Sequence, residues 1–392
     1  MRPPAGSDMT LPSRFLLAAA LLLAPAASAQ VVLTTAVPFL QIEPDSRASG
    51  MGMTGVALAD NAYAVFWNPA GLAEQTGTEV SFTHAPWLPA LGADLSYEHL
   101  TAKHSLGDLG TIGGHLTYFD LGEQQATDDQ GNVIDDFSSY EFALGASYGK
   151  QVTENLSVGA GGRLIYSNLT GGFDAGTGSG TSAGVSGGFD LGVKYRGPEL
   201  GLGKSTRPSF GANLANFGPG ISYTDSSSVS DAIPTTLRFG TAVTSELDDF
   251  NKVTFAVDLN KVLVNRDSTG SYDSPAAALF SSWGSRQVDT TPTVDEGSCA
   301  SREGSDNECD TITALEQLTL GVGAEYWYND LFSIRGGYFY ESPENGNRNF
   351  LTIGSGIRYS LVGVDLSYIY ALEENSPIAD QLRFTLLLNI PR

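Results

Sequence analysis

The chemistry that is easiest to assign in this 392-residue chain belongs to two cysteines, Cys299 and Cys309. The chain has no third cysteine, so in an oxidising compartment the pair predicts one disulfide that closes a small loop and stiffens an exposed segment. Two free thiols or a metal pair are the alternatives. A metal site would need a closer Cys-x-x-Cys spacing or a nearby histidine, and neither occurs.

The acidic residues beside the cysteines do not have the pattern of a metal site either. Asp306, Glu308 and Asp310 supply carboxylates in one short run, but the spacing of an EF-hand calcium loop is absent. We interpret them as a solvated charge run. The formal net charge of the whole chain is -23 and its pI is near 4.3, which argues against a nucleic-acid partner.

Catalytic motifs are missing around the four histidines, His84, His99, His104 and His115. His115 is placed by strand alternation near inward serines or aspartates, but no Gly-x-Ser-x-Gly elbow or paired-histidine motif frames it. The glycines from Gly159 to Gly162 lack the strand-to-helix context of a nucleotide loop. We therefore expect no catalytic, metal or cofactor site.

The first 29 residues have the pattern of a secretory signal peptide. Arg2 and Arg14 precede a short apolar run, and Ala27-Ser28-Ala29 is an A-x-A cleavage signature before Gln30. A transmembrane anchor is the alternative, but the apolar run is shorter than the roughly 20 residues that a spanning helix needs. The mature chain is therefore expected to be either a secreted soluble protein or a β-barrel.

Alternation of apolar and polar residues with period two runs through the rest of the chain. In Tyr140–Tyr148 and Leu382–Ile390, for example, one face is apolar and the other is small, polar or charged. A secreted sandwich would bury the apolar face, whereas a barrel turns it to lipid. The pattern predicts fourteen strands, which start near Glu79, Ala93, Gly110, Ser138, Asn155, Gly184, Arg207, Ile233, Lys252, Glu316, Leu331, Phe350, Gly363 and Asp380.

Connection lengths favour the barrel. Short connections between predicted strands alternate with long ones. The long connections cover residues 122–137, 170–183, 218–232 and 264–315. Short periplasmic turns opposite long outer loops are typical of outer-membrane barrels, and an even strand number places both termini in the periplasm. We predict an all-β fold: a 14-stranded antiparallel transmembrane β-barrel over residues 79–392, preceded by an N-terminal plug arm over residues 30–78.

Charged residues of both signs are predicted on the inner face of this barrel. A network that fills the lumen and holds the arm is one interpretation, and a selective channel is the other. We favour the network because the signs are mixed. The predicted lumen charges are Glu141, Arg163, Asp258, Glu325, Arg335, Arg358 and Arg383, together with Asp190, Lys194 and Arg238.

The arm combines turn residues with anchors that suit packing against an inner wall. Asn68-Pro69-Ala70 predicts a tight turn, because proline fixes its own φ and asparagine bonds its own backbone. Trp67 is an aromatic anchor, and Arg47 is a candidate partner for an inner carboxylate. We expect the arm to close the lumen from the periplasmic side.

Residues 37–123 resemble the start of the PorV proteins, outer-membrane components of the type IX secretion system. The resemblance lies in Pro38-Phe39-Leu40, the run from Pro44 to Gly52, Trp67-Asn68-Pro69-Ala70, Pro86-Trp87-Leu88 and the run from Tyr118 to Gly122. The Asn-Pro-Ala element is shared more widely with FadL-type transporters. Unlike the common barrel pattern, this chain ends in Ile390-Pro391-Arg392 rather than in an aromatic residue.

The resemblance implies a protein of the cell outer membrane that binds the C-terminal domain of exported cargo through its extracellular loops. Such a protein would shuttle the cargo from the translocon to a surface attachment complex, and its partners would be those assemblies, the cargo and outer-membrane lipid. A FadL-like transporter of hydrophobic small molecules is the alternative.

Overall fold

The computed structural model describes residues 35–91, 94–127, 132–170, 183–223, 230–266, 271–289, 309–374 and 376–391. The predicted signal peptide lies outside these ranges. Within them, no helix combines the length and the apolar character needed to cross a membrane.

Fourteen antiparallel strands form a closed barrel, as the alternation predicted. The barrel closes where β1 pairs with β16, with Phe82 opposite Leu386. β10 and β11 lie outside the barrel and pair with each other in the connection between β9 and β12. The strands are β1 Thr78–Trp87, β2 Leu95–Ser105, β3 Thr111–Thr127, β4 Val133–Gln151, β5 Leu156–Asn168, β6 Gly184–Arg196, β7 Ser205–Phe217, β8 Thr236–Glu246, β9 Asn251–Val262, β10 Arg286–Asp289, β11 Cys309–Ile312, β12 Leu318–Tyr328, β13 Phe332–Glu341, β14 Asn349–Tyr359, β15 Val362–Ala371 and β16 Leu382–Ile390.

The apolar face of the strands points away from the lumen. In β16, Phe384 and Leu386 are 41% and 44% exposed, whereas the alternating Arg383 and Thr385 are each 1% exposed. Outward tyrosines lie near both rims, as in the aromatic girdles of outer-membrane barrels. Those near one rim are Tyr148, Tyr195, Tyr328 and Tyr359, and those near the other are Tyr118, Tyr340 and Tyr370.

The two ends of the barrel differ in the length of their connections. At the short-turn end, links such as residues 329–331 and 360–361 join neighbouring strands. At the long-loop end, the link between β9 and β12 covers residues 263–317 and contains a short helix, α3 (Pro275–Ser281). The predicted loop over residues 122–137 is wrong: β3 and β4 continue through most of it as a paired hairpin, with register shifts at Asp120/Glu123 and Ala126/Thr127. Its polar composition hid the pairing because the hairpin extends beyond the barrel wall.

The N-terminal arm, residues 35–77, lies inside the barrel. It contains 3-10 helices at Pro38–Gln41 and Pro69–Glu74 and two short α-helices, α1 (Ser46–Ser49) and α2 (Ala64–Trp67). Further 3-10 turns at Pro89–Leu91, Gly107–Leu109 and Pro343–Asn345 belong to the connections. Aromatic and aliphatic side chains of the arm are buried, including Phe39, Tyr63 and Leu72.

The first described residues of the arm lie at the long-loop end of the barrel. Ala36 donates its backbone N–H to Ala232 O in the connection before β8 (3.0 Å), and Phe39 stacks on Phe119, both at the long-loop end. Gly77 accepts a backbone hydrogen bond from Ser105 at the short-turn end (3.0 Å). From Thr35 onwards the arm therefore runs the height of the lumen from the long-loop end to the start of β1.

Glycines on the inner wall let the backbone of the arm lie directly against the strands. A Cβ atom on Gly337 would lie 2.0 Å from the amide nitrogen of Gly52, and one on Gly323 would lie 2.2 Å from the carbonyl oxygen of Met51. Both distances are far below van der Waals contact, so the arm could not keep this position against a wall that carried side chains here.

The direction of the arm predicts that Thr35 is accessible from outside the cell. In a Cys299→Ser/Cys309→Ser background, we expect Thr35→Cys to react with a membrane-impermeant maleimide on intact cells. Glu154→Cys, at the short-turn end, should react only after permeabilisation. Reaction of Thr35→Cys that also requires permeabilisation would contradict this path of the arm.

The close contact at Gly337 predicts an asymmetric effect of two neighbouring substitutions. Gly337→Ala should displace the arm and reduce stability by about 1–3 kcal/mol, the usual cost of overpacking. Gly336→Ala is the matched control, since its Cβ would point away from the lumen and would lie 3.9 Å from the carbonyl oxygen of Thr352. The midpoint of the heat-induced mobility shift on gels measures both variants, and equal midpoints would show that the arm is not in contact at this position.

Candidate functional site

Asn68 ties the arm to itself and to the barrel wall. Its side-chain oxygen accepts a hydrogen bond from Ala70 N (3.1 Å), which fixes the turn into the 3-10 helix that starts at Pro69. Its amide nitrogen donates to Val56 O in the arm (3.2 Å) and to Val193 O on β6 (3.0 Å). All of the polar groups of this fully buried side chain are therefore satisfied.

Trp67 connects the turn to the first helix of the arm. Its indole N–H donates to Asp45 (3.2 Å), which also caps α1 through Ala48 N. The Trp67 carbonyl accepts from Asn213 on β7 (2.9 Å). On β8, Arg238 donates to the neighbouring carbonyl in the arm and lies 5.6 Å from the Trp67 ring.

Arg47 is the point where the arm joins the charged network of the wall. Its guanidinium makes a two-pronged contact with Glu325 on β12, at 2.9 and 2.8 Å, and pairs with Asp60 in the arm. The Asp60 and Glu325 carboxylates thus lie on either side of the guanidinium, and they compensate its charge in the lumen.

The network continues along the wall from Glu325 through three more side chains on β13, β14 and β15. Arg335 donates to Glu325 (2.7 Å) and to Asp365 (2.8 Å), and Arg358 donates to Asp365 (2.6 and 3.0 Å). The Trp327 ring lies within 5.5 Å of both arginines. The six charged side chains from Asp60 to Arg358 alternate in sign along these contacts, and their charges sum to zero. This mutual pairing offsets the free-energy cost of burying them.

The remaining predicted lumen charges have different partners. Asp258 accepts hydrogen bonds from Gly55 N and Val56 N of the arm, at 2.7 and 2.9 Å. Arg383 donates to the Glu43 carbonyl of the arm. Lys194 contacts Leu58 O and Glu74 of the arm, whereas Arg163 pairs with Asp190, and Glu141 accepts from Ser167, within the wall.

Four polar residues at the arm–wall contact were missed by sequence reasoning: Asp45, Asp60, Asn213 and Asp365. Asp365 follows the period-two rule, since it alternates with the outward Leu366 on β15. Asp45 precedes Ser46-Arg47-Ala48-Ser49, the position of a helix N-cap. Asp60 had no such signal, because its role depends on the position of Arg47 in the folded arm.

A cavity of about 460 Å³ lies above the arm at the long-loop end. Its apolar lining includes Phe39 and Ile42 of the arm and Trp87 and Phe119 of the wall. Its polar lining consists of Gln41, Glu43, Arg286, Gln317, Glu341, Asn345 and Arg348. A smaller space of about 60 Å³ continues towards Phe66, Trp67 and Arg238. We call the two spaces together the vestibule.

The cysteine pair is not tested by the structure. Cys299 and the side chain of Cys309 lie outside the described parts of the chain, so the disulfide stays a prediction. In the parts that are described, no three or more His, Cys, Asp and Glu side chains are grouped as metal ligands. His99 and His115 are buried and stack with ring centroids 5.6 Å apart.

The charge network predicts that loss of Glu325 loosens the arm. Glu325→Gln leaves Arg47 and Arg335 without their shared carboxylate, and we expect destabilisation of about 3 kcal/mol and more frequent ion-conducting openings in single-channel recordings. Asp249→Asn is the control, since it breaks an exposed pair with Lys204 that contributes at most about 1 kcal/mol. This prediction would be contradicted if Glu325→Gln showed no additional channel openings in single-channel recordings and unfolded at the same midpoint as the wild type.

Several solved outer-membrane barrels are similar to this chain in their coordinates. The Ralstonia pickettii toluene transporter TbuX is 16% identical with a TM-score of 0.49, and the match covers 89% of this chain and 98% of that one. The CymD monoaromatic hydrocarbon channel is 15% identical (TM-score 0.49; 88% and 97% covered), and a Pseudomonas aeruginosa FadL homologue is 13% identical (TM-score 0.41; 92% and 98% covered).

Among curated proteins, none matches the sequence significantly. The family model described as "Type IX secretion system protein PorV" matches residues 25–269, which is more than half of the 392 residues. The chain therefore belongs to the PorV family of type IX secretion system proteins.

Proposed function

We propose that this barrel is a carrier for secreted proteins, which it binds by their C-terminal domains at the cell surface and moves from the translocon to an attachment complex. As a PorV-family barrel, it is located in the outer membrane and is a component of the type IX secretion system. Cargo binding and shuttling are the parts that we propose.

The observation that carries the proposal is the ion-paired arm in the lumen. Glu325 on β12 holds the arm through Arg47, and Asp258 on β9 and Arg383 on β16 hold it through backbone groups. A lumen filled in this way is poorly suited to conduct a protein chain, whereas the long-loop end offers an accessible surface. This arrangement favours a carrier that binds its cargo outside the barrel over a pore.

Two elements at the long-loop end supply that surface. The β3–β4 hairpin extends beyond the wall, and its Val133 and Ile134 are 55% and 57% exposed. The connection between β9 and β12 exposes Phe280 by 82% and Leu315 by 77%. Exposed apolar side chains on polar loops are common features of protein-binding surfaces. We take the long-loop end as extracellular, in accordance with the usual asymmetry of such barrels.

A transporter of hydrophobic small molecules is the second candidate. It is favoured by the apolar lining of the vestibule, where Phe39, Ile42, Trp87 and Phe119 would suit such a ligand. It is weakened by the arm below, which leaves only about 60 Å³ beside Trp67 and Arg238. We infer a non-enzymatic role in either case, as the family implies.

Loop deletions test the carrier proposal. Leu318 pairs with Lys261, so the ends of β9 and β12 are neighbours and a Gly-Ser linker can replace residues 264–315. A second variant shortens the β3–β4 hairpin by removing residues 122–138. We expect each deletion to reduce capture of a type IX cargo C-terminal domain at least 10-fold in pull-downs, with the heat-modifiable barrel intact.

The control replaces residues 199–203, in the β6–β7 connection at the short-turn end, with glycine and serine. Capture should remain at the wild-type level in this variant. If capture survives the removal of both long-loop elements together, the carrier proposal is wrong and the transporter becomes the leading candidate.

A further inference from the structure

We propose that the vestibule binds the carboxy-terminal end of a protein chain, with Arg286 as the counter-ion for its terminal carboxylate and Lys261 behind the lining residue Gln317 as a second positive charge. This inference rests on the carrier function proposed above and adds to it the part of the cargo that is recognised. The exposed loops would hold the folded domain, and the vestibule would take the last residues of its chain.

Two cations at the vestibule, Arg286 in its lining and Lys261 beside it, lack carboxylate partners in the described structure. Arg286 donates to the side-chain oxygen of Asn345 (3.2 Å), and its Nε is buried without a hydrogen-bond partner in the described structure. Lys261 donates to Gln317 (2.7 Å) and lies 5.4 Å from the Trp283 ring. Neither makes an ion pair with a carboxylate in the described ranges, which is unusual in a chain whose formal net charge is -23. Buried cations without counter-ions favour an anionic ligand.

The two carboxylates in the vestibule do not cancel these charges, because each lies near an arginine of its own. Glu341 accepts two hydrogen bonds from Arg348, at 2.6 and 3.3 Å. Glu43 lies 3.9 Å from Arg383. Arg238, deeper in the vestibule, donates to a backbone carbonyl and pairs with no carboxylate in the described structure. The balance of charge in the vestibule is therefore positive.

The neutral polar groups suit a peptide better than a simple amphiphile. Gln41, Gln317 and Asn345 contribute carboxamides to the lining, and the side-chain oxygen of Asn260 is buried without a partner in the described structure. A main chain offers donors and acceptors to carboxamides, whereas an alkyl tail offers none. Phe39, Trp87 and Phe119 would contact apolar side chains of the same peptide.

The shape of the vestibule selects a chain end over an internal segment. Phe66 and Trp67 of the arm close it from below, and the remaining space there is about 60 Å³. The described residues leave no exit for a peptide that enters from the long-loop end, so a terminus fits and an internal segment does not. The unpaired cations then favour a carboxylate terminus over an ammonium terminus.

Amidation of the cargo terminus tests this inference without altering the barrel. The probe is a type IX cargo C-terminal domain, made once with its free carboxylate and once as the C-terminal amide, and titrated against the full-length protein in detergent. We expect the amide to bind at least 10-fold more weakly. Arg286→Gln should weaken binding of the free acid to a similar extent and should leave binding of the amide unchanged.

Arg207→Gln is the control, since it removes an exposed cation that pairs with Glu199 near the short-turn end. It should preserve the difference between acid and amide. Equal affinities of the acid and the amide for the wild-type protein would overturn the inference while the carrier function stands. Absence of binding by either form would instead refute the carrier function. If palmitate binds to the protein, and the two forms of the cargo domain bind with equal affinity, the vestibule is a site for amphiphiles and the inference is wrong.

Discussion

Arg47 and Glu325 form the contact on which the interior of this barrel depends. A lumen wall made of alternating strands presents polar and charged side chains at every second position, and each of them needs a partner once water is displaced. The arm supplies such partners to Glu325, Asp258 and Arg383, and receives its own hydrogen bonds in return. Arm and wall are therefore complementary, and neither would be satisfied alone.

Glycine on the wall and a turn in the arm make this complementarity possible. Gly192 leaves space for the Asn68 side chain and Gly337 for the backbone of Gly52. The Asn68 amide can therefore donate its hydrogen bond to the Val193 carbonyl of the wall. The Asn68-Pro69 turn then directs Trp67 towards Asp45 and Asn213. Packing and charge pairing in the lumen consequently reinforce each other, and a change in one is expected to disturb the other.

This arrangement places the surfaces that could bind a partner at one end of the barrel, the long-loop end. The arm occupies the height of the lumen, while the hairpin of β3 and β4, the connection that contains α3 and the vestibule all lie at the long-loop end. Apolar side chains are exposed on the loops, and unpaired cations lie in the vestibule between them. A carrier for protein cargo would use both features, the loops for a folded surface and the vestibule for a charged terminus.

The sequence by itself determined the barrel, because the period of two is a local property: it fixed fourteen strands and placed Glu325, Arg335 and Arg383 on the inner face before any partner was known. Tertiary structure alone decided which charges pair, since Arg47 and Glu325 lie 278 positions apart and meet only through the closure and register of the barrel. It also decided the direction of the arm and the formation of the vestibule. These features arise where distant segments converge, and no local pattern encodes the distance between them.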